Sequence, residues 1–64
     1  MTPERFRACL DALFWSGRLL AALLDIDERQ VRRWASGQYE IPPDIAAWLE
    51  RRAQAMEADP PPRG

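Results

Sequence analysis

Histidine and lysine are both absent from the 64 residues, and cysteine occurs once, at Cys9. A single cysteine excludes an internal disulfide, and without histidine it also excludes a Cys/His zinc site. Proton-transfer chemistry is left to carboxylates and Tyr39. The chain has no metal-ligand set, no nucleophile beside a base and no glycine loop that could cradle a phosphate, which excludes the enzyme class. Nothing in it calls for a cofactor or a small-molecule substrate. Cys9 reads as a small buried hydrophobe rather than a reactive thiol. Long apolar runs are missing as well. The longest, Leu19 to Leu24, is far too short for a membrane span or a signal-peptide core. Together with one unpaired cysteine, this leads us to expect a cytoplasmic protein with no membrane contact.

What remains is short, arginine-rich and helical in pattern. A chain of 64 residues holds one domain with a modest core, and that size gains from self-association. The net charge is −1, which does not favour nucleic acid, but the distribution is uneven. Arg29, Arg32 and Arg33 fall within five positions, whereas many of the acids are spread elsewhere. A local basic face on an acidic protein can still hold a phosphate backbone, with less long-range steering.

Thr2-Pro3-Glu4 is a helix start: a hydroxyl cap, proline in the first turn, then an acid at the positive end of the dipole. Phe6, Cys9, Leu10 and Leu13 form one apolar stripe, predicting a first helix from about 3 to about 14. Ser16 caps a second helix carrying Leu19, Leu20, Leu23 and Leu24, apolar enough to be packed on several sides. Asp25-Ile26-Asp27 is a three-residue link, and aspartate tolerates the left-handed conformation that a tight turn needs. Asp27 caps a third helix, with Gln30 placed to complete a capping box. Val31 and Trp34, joined by Ala35, face inward; Glu28, Arg29, Arg32 and Arg33 face outward. Ser36-Gly37 ends it. Pro42-Pro43-Asp44 opens a fourth helix with Ile45, Trp48, Leu49, Ala53 and Met56 at helical spacing. Residues 1–58 therefore make an all-α domain, and residues 59–64, rich in proline, a disordered tail.

The stretch from Leu13 to Pro42 resembles the Cro and phage-repressor type of helix-turn-helix regulators, also called the xenobiotic-response-element family. The matching places are Ser16, Ala21 with Leu23 and Leu24, Asp25-Ile26-Asp27, Val31, Trp34-Ala35-Ser36-Gly37 and Pro42. Gly17 stands where the family has glutamine, Asp25 where it has the turn glycine, and Ala35 where it has glutamate. The resemblance implies a compact lambda-repressor-like bundle of four or five helices, from a bacterium or phage, that binds double-stranded DNA.

Carried over by position, the base-reading residues are Glu28, Arg29 and Arg33 on the third helix, which lies in the major groove. Arginine's planar fork matches the O6 and N7 acceptors of guanine, and Glu28 accepts from cytosine N4, so G·C pairs are expected in the half-site. Phosphate contacts fall to Ser16, Gly17 and Arg18 at the second helix, to Arg32, and to Ser36, Gly37, Gln38 and Tyr39. For each of these a plain reading stands beside the functional one. Outward arginines are ordinarily a solvated face, Glu28 equally suits its helix dipole, and Tyr39 is open between a phosphate contact and packing. Trp15 reads as a lid over the core rather than a base-stacking residue. Trp48, Arg51 and Arg52 are the dimer candidates, because the region after the motif commonly forms the dimer contact in this family; Trp48 fits the monomer core equally well.

The leading expectation is a homodimeric transcription regulator, more a repressor than an activator because the chain leaves no room for a ligand or activation domain. It would bind an inverted repeat. The competing expectation is a protein-interaction module on a helix-turn-helix fold that no longer binds DNA, which the acidic balance and Gly17 would allow.

Overall fold

The computed structural model describes residues 1–62; Arg63 and Gly64, the end of the tail expected to be disordered, lie outside the described residues. Four helices account for the ordered chain: α1 (Pro3–Leu13), α2 (Gly17–Leu24), α3 (Glu28–Ser36) and α4 (Pro43–Ala58). No strand occurs among the described residues. Each start agrees with its sequence signal. The Thr2 hydroxyl accepts from the Arg5 amide at 3.0 Å, and the Ser16 hydroxyl from the Leu19 amide at 3.0 Å. Asp27 caps α3 through its carboxylate, which accepts from the Arg29 amide at 2.8 Å. The Gln30 side chain does not reach back to close a capping box; only its backbone N–H donates, to the Asp27 carbonyl at 3.0 Å.

Three helices end in the same way. Phe14, Asp25 and Gly37 are left-handed, at φ 59°, 55° and 83°. In each case the next amide reaches five residues back: Trp15 to Leu10, Ile26 to Ala21 and Gln38 to Arg33, at 2.9, 3.0 and 3.0 Å. This is the Schellman closure, which satisfies carbonyls that a helix end leaves without partners. Its apolar companions are present too, since Trp15 and Ile26 both pack against the core. Only one of the three left-handed positions is glycine, and there a side chain would also press on Pro3, whose Cγ would lie 3.1 Å from an added Cβ. The first helix thus ends at Leu13, the last residue of its stripe and close to the expected boundary of about 14, and its cap is a phenylalanine that remains 76% exposed.

The core gathers one face from every helix: Phe6, Cys9, Leu10 and Leu13 from α1; Leu20 and Ala21 from α2; Val31 and Trp34 from α3; Leu49 and Ala53 from α4. Ile41, from the loop before α4, joins them. α1 packs on α4 and on α3, and α2 packs on α3. The Trp34 ring meets Phe6 edge-to-face, centroids 6.2 Å apart at 83°, a favoured arrangement for an aromatic pair. Gly17 lets α2 approach α3 closely: a Cβ there would stand 3.3 Å from Val31 Cγ1.

One expectation fails. α2 is not packed on several sides, because α4 lies mainly on α1 and does not cover it. Only Leu20 and Ala21 are buried, while Leu19 and Leu23 are 42% and 53% exposed. The α2 sequence is more apolar than its place in the fold requires.

Because Trp34 is buried at the meeting of α1 and α3, Trp34→Ala should cost about 3–5 kcal/mol, a large part of what so small a domain possesses. Chemical denaturation checks this, and an unchanged midpoint would show that the indole contributes no packing.

Candidate functional site

The outward face of α3 follows from the inward one. Residues advance by about 100° each, so seating Val31 and Trp34 in the core turns Glu28, Arg29, Arg32 and Arg33 to solvent, and all four are exposed. The structure thus brings the three base-reading candidates and Arg32 together on one face of one helix. The face is not idle. Arg29 folds back on Asp27, its Nε 3.5 Å from Oδ1 and its Nη2 3.4 Å from Oδ2. Arg33 lies over the Tyr39 ring, 5.6 Å from its centroid, within range of a cation–π attraction. Both contacts are solvent-exposed and readily exchanged for another partner. Glu28 and Arg32 have no ion-pair partner among the described residues.

The phosphate candidates divide into two groups. At the start of α2, Ser16 is spent on its cap, and the amides of Gly17 and Arg18 have no hydrogen-bond partner among the described residues. Such amides at the positive end of a helix are suited to an anion. At the end of α3 the amides are already used. Gly37 donates to Trp34 at 3.2 Å, and Gln38 and Tyr39 both donate to the Arg33 carbonyl. Ser36 Oγ donates to that same carbonyl at 3.1 Å and accepts from the Gln38 amide at 3.4 Å. Closing α3 consumes the backbone amides there, so contacts from Ser36, Gln38 and Tyr39 would have to come from side chains, and Gly37 keeps no free donor for a phosphate.

The dimer candidates also divide. Trp48 is half-buried and lies against Trp15, centroids 5.6 Å apart at 35°, so both tryptophans serve the fold as a pair. Arg51 and Arg52 are exposed on different sides of α4. Arg52 lines a shallow cleft with Leu13, Trp15 and Met56, about 100° round the helix from Arg51.

Two contacts escaped the sequence. Arg5 Nε and Nη2 donate to Glu50 Oε1 and Oε2 at 2.7 and 2.8 Å, a two-pronged clamp between α1 and α4. Arg7 donates to the Ala35 carbonyl, placing a cation at the negative end of α3. Nothing in the local pattern could have found either, because the partners lie 45 and 28 residues apart. The clamp also sets the chemistry of Cys9, whose thiol lies 3.9 Å from Glu50 Oε1. Burial, and then the Glu50 carboxylate, push that thiol up, which makes it a poor nucleophile.

The Arg5 guanidinium holds the Glu50 carboxyl below the usual carboxylate range, and hydrogen bonds from the Arg29 amide and side chain do the same for Asp27. A carboxyl with a depressed folded pKa adds stability above its unfolded value and loses it as the pH falls through the folded one. Stability should therefore fall on acidification through about pH 4 and below. Glu50→Gln should lower stability at neutral pH and flatten this acid limb. Melting curves from neutral to acid pH check it, and an acid limb identical in the variant would contradict the clamp. Compared with known proteins, the chain matches no family model, no curated protein and no solved structure.

Proposed function

We propose that this chain is a sequence-specific DNA-binding regulator that reads the major groove with α3, acting as a homodimer and as a repressor. The observation that carries the reading is the composition and phase of one helix. α3 has only Val31 and Trp34 buried, and it presents Arg29, Arg32 and Arg33 together on its solvent side. It is joined to α2 by the short link Asp25-Ile26-Asp27, the spacing of a helix-turn-helix. No part of the core needs these arginines, which leaves their face available to a partner outside the chain.

In this reading Arg29 and Arg33 each offer a planar fork to guanine O6 and N7, with Glu28 accepting from cytosine N4. Arg32, Arg18 and the first amides of α2 hold phosphates on either side. In the absence of DNA the two guanidinium groups rest on Asp27 and on the Tyr39 ring, and the weakness of those exposed contacts lets guanine replace them. One recognition helix covers too few base pairs to be selective in a genome. Two copies bound to an inverted repeat, with recognition helices about 34–36 Å apart, overcome that limit.

A second reading, a protein-docking module without DNA binding, is favoured by the uncovered leucines of α2, Leu19 and Leu23.

Selection of bound duplexes from a random pool decides between them. The DNA reading predicts an inverted repeat with G·C pairs in each half-site and an affinity that falls steeply with salt. Against the recovered site, Arg33→Ala or Arg29→Ala should cost about 1–3 kcal/mol and relax preference at one base position. Recovery of no sequence, together with salt-independent behaviour, would favour the docking module.

A further inference from the structure

Asp44, Ala47, Trp48 and Arg51 stand at i, i+3, i+4 and i+7 along α4, which places them on one ridge two turns long. Asp44, Ala47 and Arg51 are exposed, and Trp48 is half-buried. Neither charge has an ion-pair partner among the described residues; Asp44 only accepts from its neighbour, the Ile45 amide, at 2.9 Å. Beside the ridge runs an apolar groove of about 360 Å³ between α2 and α4, lined by Leu23, Leu24, Ile45 and Trp48 with Asp44 at its rim. Leu19 and Leu23, one turn apart, extend the apolar surface along α2.

We infer that this face is the contact between two copies of the chain, with α4 lying antiparallel on α4 of the second copy about a two-fold axis between Ala47 and Trp48. The pattern is self-complementary about that point, which is what a two-fold contact demands: if one residue meets another, the reverse must also hold. The midpoint of 44 and 51 falls between 47 and 48. Antiparallel pairing there sets Asp44 against Arg51 of the second copy, and Arg51 against its Asp44. It also sets the large Trp48 against the small Ala47, twice. Parallel pairing would set like charge on like. A nucleic-acid occupant is opposed by Asp44 at the rim. Apolar burial of Leu23, Ile45 and Trp48 supplies the attraction, and the two charge pairs fix the register and exclude wrong ones. This deepens the dimeric part of the reading given above, but it makes its own claim about the protein without DNA.

The test is sedimentation equilibrium of the full chain at low salt, without DNA. The wild type should associate to a dimer. Arg51→Glu and Asp44→Arg each set two like-charge pairs across the axis, and each should raise the dissociation constant at least about tenfold. The double variant Asp44→Arg with Arg51→Glu restores opposite pairing and should return to within about threefold of the wild type. Leu23→Glu, at a position already half exposed, should dissociate the dimer with unchanged helicity by circular dichroism. A wild-type chain still monomeric at about 1 mM would overturn the inference. So would single variants that associate normally, or a double variant no better than the singles. Selective duplex binding by a chain that is monomeric without DNA would sink this interface and leave the reading of DNA by α3 standing, whereas a charge-dependent dimer that binds no duplex would sink the DNA reading alone.

Discussion

The seating of α3 governs the arginine face this protein presents to solvent. Trp34 is locked edge-to-face on Phe6, and Val31 sits where Gly17 leaves room for it. Those two contacts fix the rotation of a nine-residue helix that has little else to hold it. A slip of one residue would put Arg32 in the buried place of Val31 and Trp34 in the exposed place of Arg33. Burying an unpaired guanidinium is far more costly than the apolar burial such a slip could recover. The arrangement is therefore sharply specified by two side chains, and the arginine face is its geometric complement.

Short helices need firm ends, because each end leaves amides or carbonyls unpaired. Here the starts are closed by Thr2, Ser16 and Asp27, and three of the ends by left-handed Phe14, Asp25 and Gly37. A left-handed residue other than glycine costs roughly 1–2 kcal/mol. At Phe14 and Asp25 that cost is offset by the closing hydrogen bonds and by the apolar residue that follows, Trp15 or Ile26. The link between α2 and α3 is thereby held to one geometry, which keeps the start of α2 and the outer face of α3 in fixed relation. Longer-range clamps do the remaining work. Arg5 and Glu50 join the first helix to the last, and Arg7 supports the end of α3.

The four helices were legible because each announces itself locally, through a hydroxyl, acid or proline at its start and a stripe of period 3.6 along its length. The outward set on α3 was legible for the same reason, since Val31 and Trp34 fix its phase. Less legible was anything that depends on which helix covers which. The apolarity of α2 suggested deep burial, but α4 lies mainly on α1, and Leu19 and Leu23 remain uncovered. Ile41, in a loop without periodicity, gave no sign that it would enter the core. Nor did residue types show that the turn closing α3 would use the amides of Gly37, Gln38 and Tyr39, which backbone geometry decides.

The central claim is that arginines of α3 read guanine in the major groove. Methylation interference at guanine N7 addresses that atom directly, because a methyl group there blocks the acceptor an arginine fork needs. On a duplex carrying the selected site, the account predicts that methylation of guanines in both half-sites prevents binding, and that interference at one guanine per half-site disappears in Arg33→Ala. Binding indifferent to methylation at every guanine of the site would contradict it.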